Sequence, residues 1–275
     1  MVRSVVGVRI TAGTMMAAYK FPQVPVRAGV RAMLRGVNAN ATIDYAQFDA
    51  ITFDCYGTLI DWETGLADAF RAVLPAHGVA ADDEDLLARY ARYEAAAEAG
   101  PYLPYREVLA IGLRGVAAEF GVTPTEAETA LFGGSVVHWP AFPDSSAALA
   151  QLKVRFRLGV LTNCDDDLFA ASNRRLGVEF DWIVTAQQVG SYKPSEANFQ
   201  ALFERLAVPR GRILHVAQSL FHDHAPAKRL GLTTVWIDRR HDRPGAGATP
   251  TAKAIPDATF PDMASFAAAA TAVPG

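Results

Sequence analysis

The chain has 275 residues, 51% of them hydrophobic and 20% charged, with a formal net charge of -3. These values exclude a disordered chain, a collagen and a charged coiled coil, and allow one or two domains with a sizeable core. No run of 18 apolar residues marks a membrane-spanning helix. Two cysteines, Cys55 and Cys164, are too few for a disulfide scaffold or a four-cysteine zinc site, and the charge makes no case for nucleic acid as a partner.

Residues 1–43 hold six of the 26 basic residues and none of the 29 acidic ones. A basic, acid-free leader can be a targeting segment, but this one has no uninterrupted apolar stretch and a single serine. The expectation is an extension outside the fold, with Met16 or Met33 as later start candidates, on a cytoplasmic protein.

From Phe48 the pattern changes. Residues 48–53 form a short β-prone apolar run ending at Asp54, followed by a tight loop in which Gly57 can take a positive φ. Residues 64–139 read as helical. Leu66, Ala69, Phe70, Val73 and Leu74 fall at helical spacing, and Leu86, Leu87, Tyr90 and Tyr93 make a second stripe. Gly100 to Pro104 breaks the helices; Val108, Leu109, Ile111 and Leu113 form a less regular third stripe interrupted by Gly112. Thr125 to Glu128 has the pattern of a helix start. After Pro140 helices and strands alternate: a helix near 144–154 and a strand at 158–162, then 166–175 with 182–185, 195–206 with 213–217, and 223–229 with 233–237. A loop at 245–251 and a frayed terminal helix at 264–272 complete the chain.

Repeated strand–helix units indicate an α/β core with a parallel sheet, here split by an inserted all-helical segment. The expected division is an extension at 1–43, a core of 44–63 and 141–275, and a helical cap of 64–140. Ligands of open parallel sheets bind outside the carboxyl ends of the strands. Asp54, Thr58, Thr162, Asn163 and the segment from Gln218 to Asp223 follow such ends, with Lys193 further along its loop. A carboxylate at a strand end can be a nucleophile, a metal ligand or a loop cap.

Taken together, Asp54-Cys55-Tyr56-Gly57-Thr58-Leu59, then Thr162-Asn163, Lys193-Pro194 and Ser219 to Asp223 resemble, in order, the four motifs of the haloacid dehalogenase (HAD) superfamily. The resemblance covers about residues 45–240, and the insertion after the first motif matches the family's small cap. It implies a Rossmann-like HAD core. Phosphatases of this superfamily usually carry an Asp two residues after the nucleophile; Tyr56 stands there, which is similar to the type II (S)-2-haloacid dehalogenases, as is Ser191 to Pro194.

That resemblance implies hydrolytic dehalogenation of short 2-haloalkanoic acids to 2-hydroxy acids through an aspartyl ester. Asp54, Lys193 and Asp223 are the implied catalytic residues: nucleophile, charge partner and orienter of water. Tyr56, Thr58, Thr162, Asn163 and Ser219 are implied substrate-binding residues, with Arg89 or Arg92 receiving halide from the cap. No cofactor and no metal is expected; the partner is a small organic acid, with no nucleic acid and no membrane, and the family resemblance suggests a homodimer. Gln218 stands where many phosphatases have another Asp, the dehalogenase Ser-Asn pair is not plain in the fourth motif, and Phe199 replaces a tyrosine. His222 and His224, two residues apart, would point in different directions on a helix, which favours structural roles over a metal pair. Alternatives are a magnesium-dependent HAD phosphatase acting on a small phosphate ester, and a catalytically silent HAD-like binding domain.

Overall fold

The computed structural model describes residues 43–242 and 249–272. The expected N-terminal extension lies outside the described residues except for Ile43, which packs on the core, and so does most of the expected loop at 245–251. Six parallel strands form one sheet in the order β3-β2-β1-β4-β5-β6. They are β1 (Ala50–Phe53), β2 (Arg157–Thr162), β3 (Trp182–Thr185), β4 (Ile213–Ala217), β5 (Thr233–Ile237) and β6 (Ala258–Phe260). β1 and β4 are buried throughout, as expected of central strands covered on both faces. Phe53 of β1 pairs with Val160 of β2 on one side and Val216 of β4 on the other. The chain builds outward from β1 in one direction and then, from β4, in the other. The point where the order reverses lies between β1 and β4, and a crevice opens there beyond the strand ends.

The insertion between β1 and β2 contains α1 (Trp62–Val73), α2 (Asp83–Glu98), α3 (Tyr105–Glu119) and α4 (Glu126–Gly133). α1 begins two residues before the expected helical region because Asp61 caps it, accepting from the Thr64 amide. At α4 the expected start is a capping box between Thr125 and Glu128. The core helices are α5 (Ser145–Lys153), α6 (Asp166–Leu176), α7 (Ala186–Val189), α8 (Glu196–Leu206), α9 (Ala225–Arg229) and α10 (Met263–Thr271).

Three expectations need correction. The helix expected near 223–229 is preceded by a π turn over Leu220–His224, and regular α-helix starts only at Ala225. β6 was not expected. The terminal helix is not frayed: Met263, Phe266, Ala267 and Ala270 are fully buried, and Asp144 accepts from the Met263 amide at 2.7 Å.

The insertion is tied to the core at its helix ends. α3 starts after Pro104, which has no side-chain hydroxyl or carboxylate to cap it. Asp165, just after β2, takes that role and accepts from the amides of Tyr105 and Arg106 at 2.9 and 3.2 Å. The Tyr192 hydroxyl donates to the Leu103 carbonyl at 2.7 Å from the other side. Within the insertion, Gly112 lets α2 approach α3 closely. A Cβ there would lie 2.3 Å from the Tyr90 ring, so the glycine that interrupts the third stripe is the floor on which Tyr90 lies.

Gly112→Val should therefore overpack this contact. The expected loss is about 1–3 kcal/mol of stability, read as a lower urea midpoint at unchanged m-value. An unchanged midpoint would mean that the two helices separate without cost.

Candidate active site

β1 delivers Asp54 to the crevice, where its amide donates to the Val216 carbonyl of β4 at 3.1 Å. The chain then turns sharply. Gly57 has φ +91, and a Cβ there would meet Trp62 Nε1 at 3.0 Å. This turn folds Thr58 back so that its hydroxyl donates to Asp54 Oδ2 at 2.7 Å while accepting from the Gln218 amide at 2.9 Å. Lys193 arrives from the loop after β3. Its ammonium donates to Asp54 Oδ1 at 2.8 Å, to Asp223 Oδ1 at 2.7 Å and to the Leu161 carbonyl at 3.0 Å. Both carboxylates and the ammonium are buried.

Asn163 locks the lysine loop in place. Its side-chain oxygen accepts from the Lys193 amide at 2.7 Å and its nitrogen donates to the Lys193 carbonyl at 3.1 Å. Asp223 also bonds His215 Nε2 at 3.0 Å, and His215 Nδ1 lies 2.9 Å from the Thr52 hydroxyl. Phe199, in place of the expected tyrosine, packs edge-on against His215. Asp223 Oδ2 is buried with no hydrogen-bond partner among the described residues.

The electrostatics divide the two carboxylates. Burial pushes Asp223 up, but Lys193 and His215 outweigh it and hold the group well below the ordinary range. Asp54 is raised: burial dominates, and the neighbouring Asp223 charge adds to it, while Lys193 and Thr58 pull the other way. Burial would lower Lys193, but Asp223 and Asp54 together raise it, so it stays an ammonium. Asp54 is thus the more basic of the two carboxylates.

A narrow cleft of about 50 Å³ opens over Asp54. Tyr56, Asn163, Lys193, Ser219 and Asp223 line it as expected. Ser219 caps the π turn, accepting from the His222 amide at 2.9 Å. Tyr56 stacks on Tyr105 and meets Trp139 edge-on; its hydroxyl is 3.1 Å from Ser172 Oγ and accepts from the Cys164 thiol at 3.3 Å. Thr162 is buried at the end of β2 and is not among the lining residues; its hydroxyl has no partner among the described residues. Burial raises the thiols of Cys55 and Cys164, which disfavours the reactive thiolate. His224 points away, to the Ala217 carbonyl at 2.9 Å, while His222 lines the cleft.

Arg89 and Arg92 are not in the cleft. Arg89 pairs with Asp85 and Glu119 and lies over the Phe120 ring, and Arg92 pairs with Glu119 at 2.9 Å. At about 100° per residue, both lie on the opposite side of α2 from Glu94 and Glu98. Those two acids, Glu94 buried and Glu98 half-buried, face the cleft instead. Glu94 accepts from the Tyr90 and Tyr105 hydroxyls at 3.1 and 2.9 Å, and Glu98 accepts from Asn163 at 3.4 Å. Glu94, Glu98 and His215 were missed at the sequence level, whereas Trp62 lines the cleft among the aromatic residues expected to exclude water. Extending the Leu86, Leu87, Tyr90 stripe by steps of four reaches Glu94 and Glu98, and a histidine inside the apolar run Ile213–Ala217 was also a signal.

The donor set does not fit magnesium. At the strand ends the carboxylates are Asp54 and Asp223, whose facing oxygens share one ammonium. Gln218 adds only a neutral amide. No group of three or more His, Cys, Asp or Glu side chains suited to a metal occurs among the described residues.

Lys193→Met removes the ammonium shared by two buried carboxylates, so it should cost about 3–5 kcal/mol of stability at pH 7. Without the ammonium, burial and mutual repulsion place both carboxyl pKa values above their unfolded value of about 4. The deficit should be small where both states are protonated and grow as pH rises through the raised folded values. Urea unfolding of both proteins across pH measures this; a pH-independent deficit would contradict the shared-charge arrangement.

Comparison with known proteins agrees with this geometry. A family model described as haloacid dehalogenase-like hydrolase matches residues 48–231. An (S)-2-haloacid dehalogenase from Pseudomonas putida is 26% identical over 223 residues, covering 74% of this chain and 92% of that one. A phosphoglycolate phosphatase from Rhodospirillum rubrum is 31% identical over 226 residues, 79% of this chain and 88% of that one. A solved L-2-haloacid dehalogenase structure superposes with a TM-score of 0.68 at 26% identity, covering 80% of this chain and 97% of that one. With the strand order, the helical insertion and the Asp54–Lys193–Asp223 cluster, these matches show that the chain belongs to the haloacid dehalogenase-like hydrolase family.

Proposed function

We propose that this protein hydrolyses short 2-haloalkanoic acids to 2-hydroxy acids through an ester on Asp54, as the names of its dehalogenase relatives suggest. The observation that carries this reading is Tyr56. It occupies the place of the acid–base carboxylate of HAD phosphatases, and its hydroxyl is engaged with Ser172 and Cys164 between two aromatic rings. Burial raises this phenol further from neutrality, so it is a poor proton donor to an alkoxide and a poor base toward water. Displacement of halide needs no such group, because the leaving group departs as a weak base.

In the first step the Asp54 carboxylate attacks the carbon bearing halogen, and the carbon–halogen electron pair leaves with the halide. Thr58 and Lys193 hold the carboxylate in place. Lys193 offsets the charge of the approaching acid, and Asn163 positions Lys193. Trp62, Tyr56 and Tyr105 line a cleft with little room for water. In the second step water attacks the ester carbonyl of Asp54. The unpartnered Asp223 Oδ2 accepts that water's proton; the acyl carbon–oxygen bond to the substrate then breaks, the departing oxygen takes the proton back, and Asp54 is restored as a carboxylate while the hydroxy acid leaves. Ser219, which lines the cleft, is the remaining candidate contact for the substrate carboxylate, whereas Thr162 is buried behind it. No cofactor or nucleic acid takes part, and no helix among the described residues is long and apolar enough to cross a membrane. The same reading places the enzyme in the cytoplasm as a homodimer.

Halide release from a panel of short 2-haloacids, including fluoroacetate, tests this function. Release should persist with chelator present, and Asp54→Asn should lower it on the order of a thousandfold or more. Phosphate release from phosphoglycolate that requires magnesium, with no halide release, would establish the phosphatase instead. Inactivity on both panels would favour a silent binding domain.

A further inference from the structure

The cap wall of the cleft carries acid where the sequence suggested arginine. Glu94 and Glu98 are one helical turn apart on α2, and both line the same cleft as Asp54. Lys193, the cation lining this cleft among the described residues, is already bonded to Asp54 and Asp223. Displacement at a saturated carbon is in line: the nucleophile enters on one side and the leaving group departs on the other. Asp54 attacks from the core, so the halide departs toward the cap, where α2 presents its two glutamates.

We infer that Glu94 and Glu98 share a proton and that the resulting carboxylic acid donates a hydrogen bond to the departing halide, in place of an arginine. This rests on the dehalogenase reading and adds a catalytic group to it. The step balances within the cleft. The Asp54 oxygen–carbon bond forms, the carbon–halogen pair goes to the halide, and the proton stays on the glutamate. Two nearby carboxyls in a buried wall cannot both ionise cheaply, and a neutral carboxyl in such a place is a donor.

The surroundings of the pair agree. Tyr90 on its own helix and Tyr105 of α3 donate to Glu94. Asn163 after β2 donates to Glu98, His222 of the π turn lies 3.8 Å from it, and Lys193, Asp54 and Asp223 face it from the core. Burial raises Glu94 to about 7 despite the two phenols. Burial and the charge of Glu94 also raise Glu98, against the pull of Lys193 and Asn163. Burial lowers His222 to about 4, and Lys193 and the tyrosines are raised above their ordinary values. Both glutamates of the cap wall are thus held toward the neutral acid, on the side of the cleft opposite Asp54.

The test compares wild type with the double variants Glu94→Gln/Glu98→Gln and Glu94→Ala/Glu98→Ala. The glutamine pair is isosteric, still accepts from the tyrosines, and keeps an N–H donor at every pH. For wild type, kcat for halide release from 2-chloropropionate should fall about tenfold per pH unit above the pair's titration. The glutamine variant should lose this alkaline fall, and the alanine variant should have low kcat throughout with a smaller change in KM. An alkaline fall that survives in the glutamine variant, or a flat wild-type profile, overturns the inference.

A second measurement uses bromide alone, in weakly buffered solution near pH 8, following proton uptake and quenching of tryptophan fluorescence. Trp62 lines the cleft. Wild type should take up protons as bromide binds, and the glutamine variant should not. If wild type releases no halide from any 2-haloacid, the proposed function fails, but this measurement still decides the inference. Proton uptake with bromide supports it, and bromide binding without uptake, or no response to bromide, overturns it.

Discussion

One ammonium organises the catalytic edge of this protein. Lys193 bonds Asp54 and Asp223 at once, inside a site that water barely reaches. Two carboxylates this close and this buried would otherwise repel each other and protonate. Most of the surrounding side chains serve this arrangement. Asn163 clamps the lysine backbone, His215 takes part of the Asp223 charge, Thr58 holds the far oxygen of Asp54, and Phe199 packs under His215. The result is asymmetric: Asp223 is held ionised, while Asp54 keeps the greater basicity. A carboxylate meant to attack carbon benefits from that asymmetry, because basicity and nucleophilicity rise together.

The sheet order explains why these groups meet. Asp54 follows β1 and Asp223 follows β4, the two strands between which the strand order reverses. The insertion then closes over this point, held by Asp165 at the start of α3 and by Tyr192 at the Leu103 carbonyl. The same α2 face that packs Tyr90 on Gly112 carries Glu94 and Glu98 into the cleft. Packing and chemistry therefore share one helix register, which is what ties the stability of the insertion to the composition of the site.

That register also marks where sequence reading stopped. The core strands were legible because each is a short apolar run ending in a polar residue, and the motif residues were legible because they follow those ends. Asp54, Thr58, Lys193 and Asp223 come together as expected. Arg89 and Arg92 do not, because the register of α2, which one sequence does not fix, turns both toward Glu119 and away from the cleft. The stripe through Leu86 and Tyr90 continues to Glu94 and Glu98, but acids on a helix are usually solvated, so the spacing alone does not mark them as a site. The π turn over Leu220–His224 has no local pattern to announce it, and β6 is too short to stand out. The terminal helix looked frayed because its small residues carry little signal; their burial beside α5 depends on contacts distant in sequence.

The central claim is that Asp54 itself bonds to substrate carbon. A single turnover in oxygen-18 water, with enzyme in excess over an active 2-haloacid, tests it most directly by mass spectrometry of product and peptides. The oxygen given to carbon would come from the Asp54 side chain, and water would replace it when the ester is cleaved at its carbonyl. The predicted result is unlabelled hydroxy acid and label in the peptide containing Asp54. Labelled hydroxy acid with an unlabelled Asp54 peptide would contradict the account, because water would then have attacked the carbon directly.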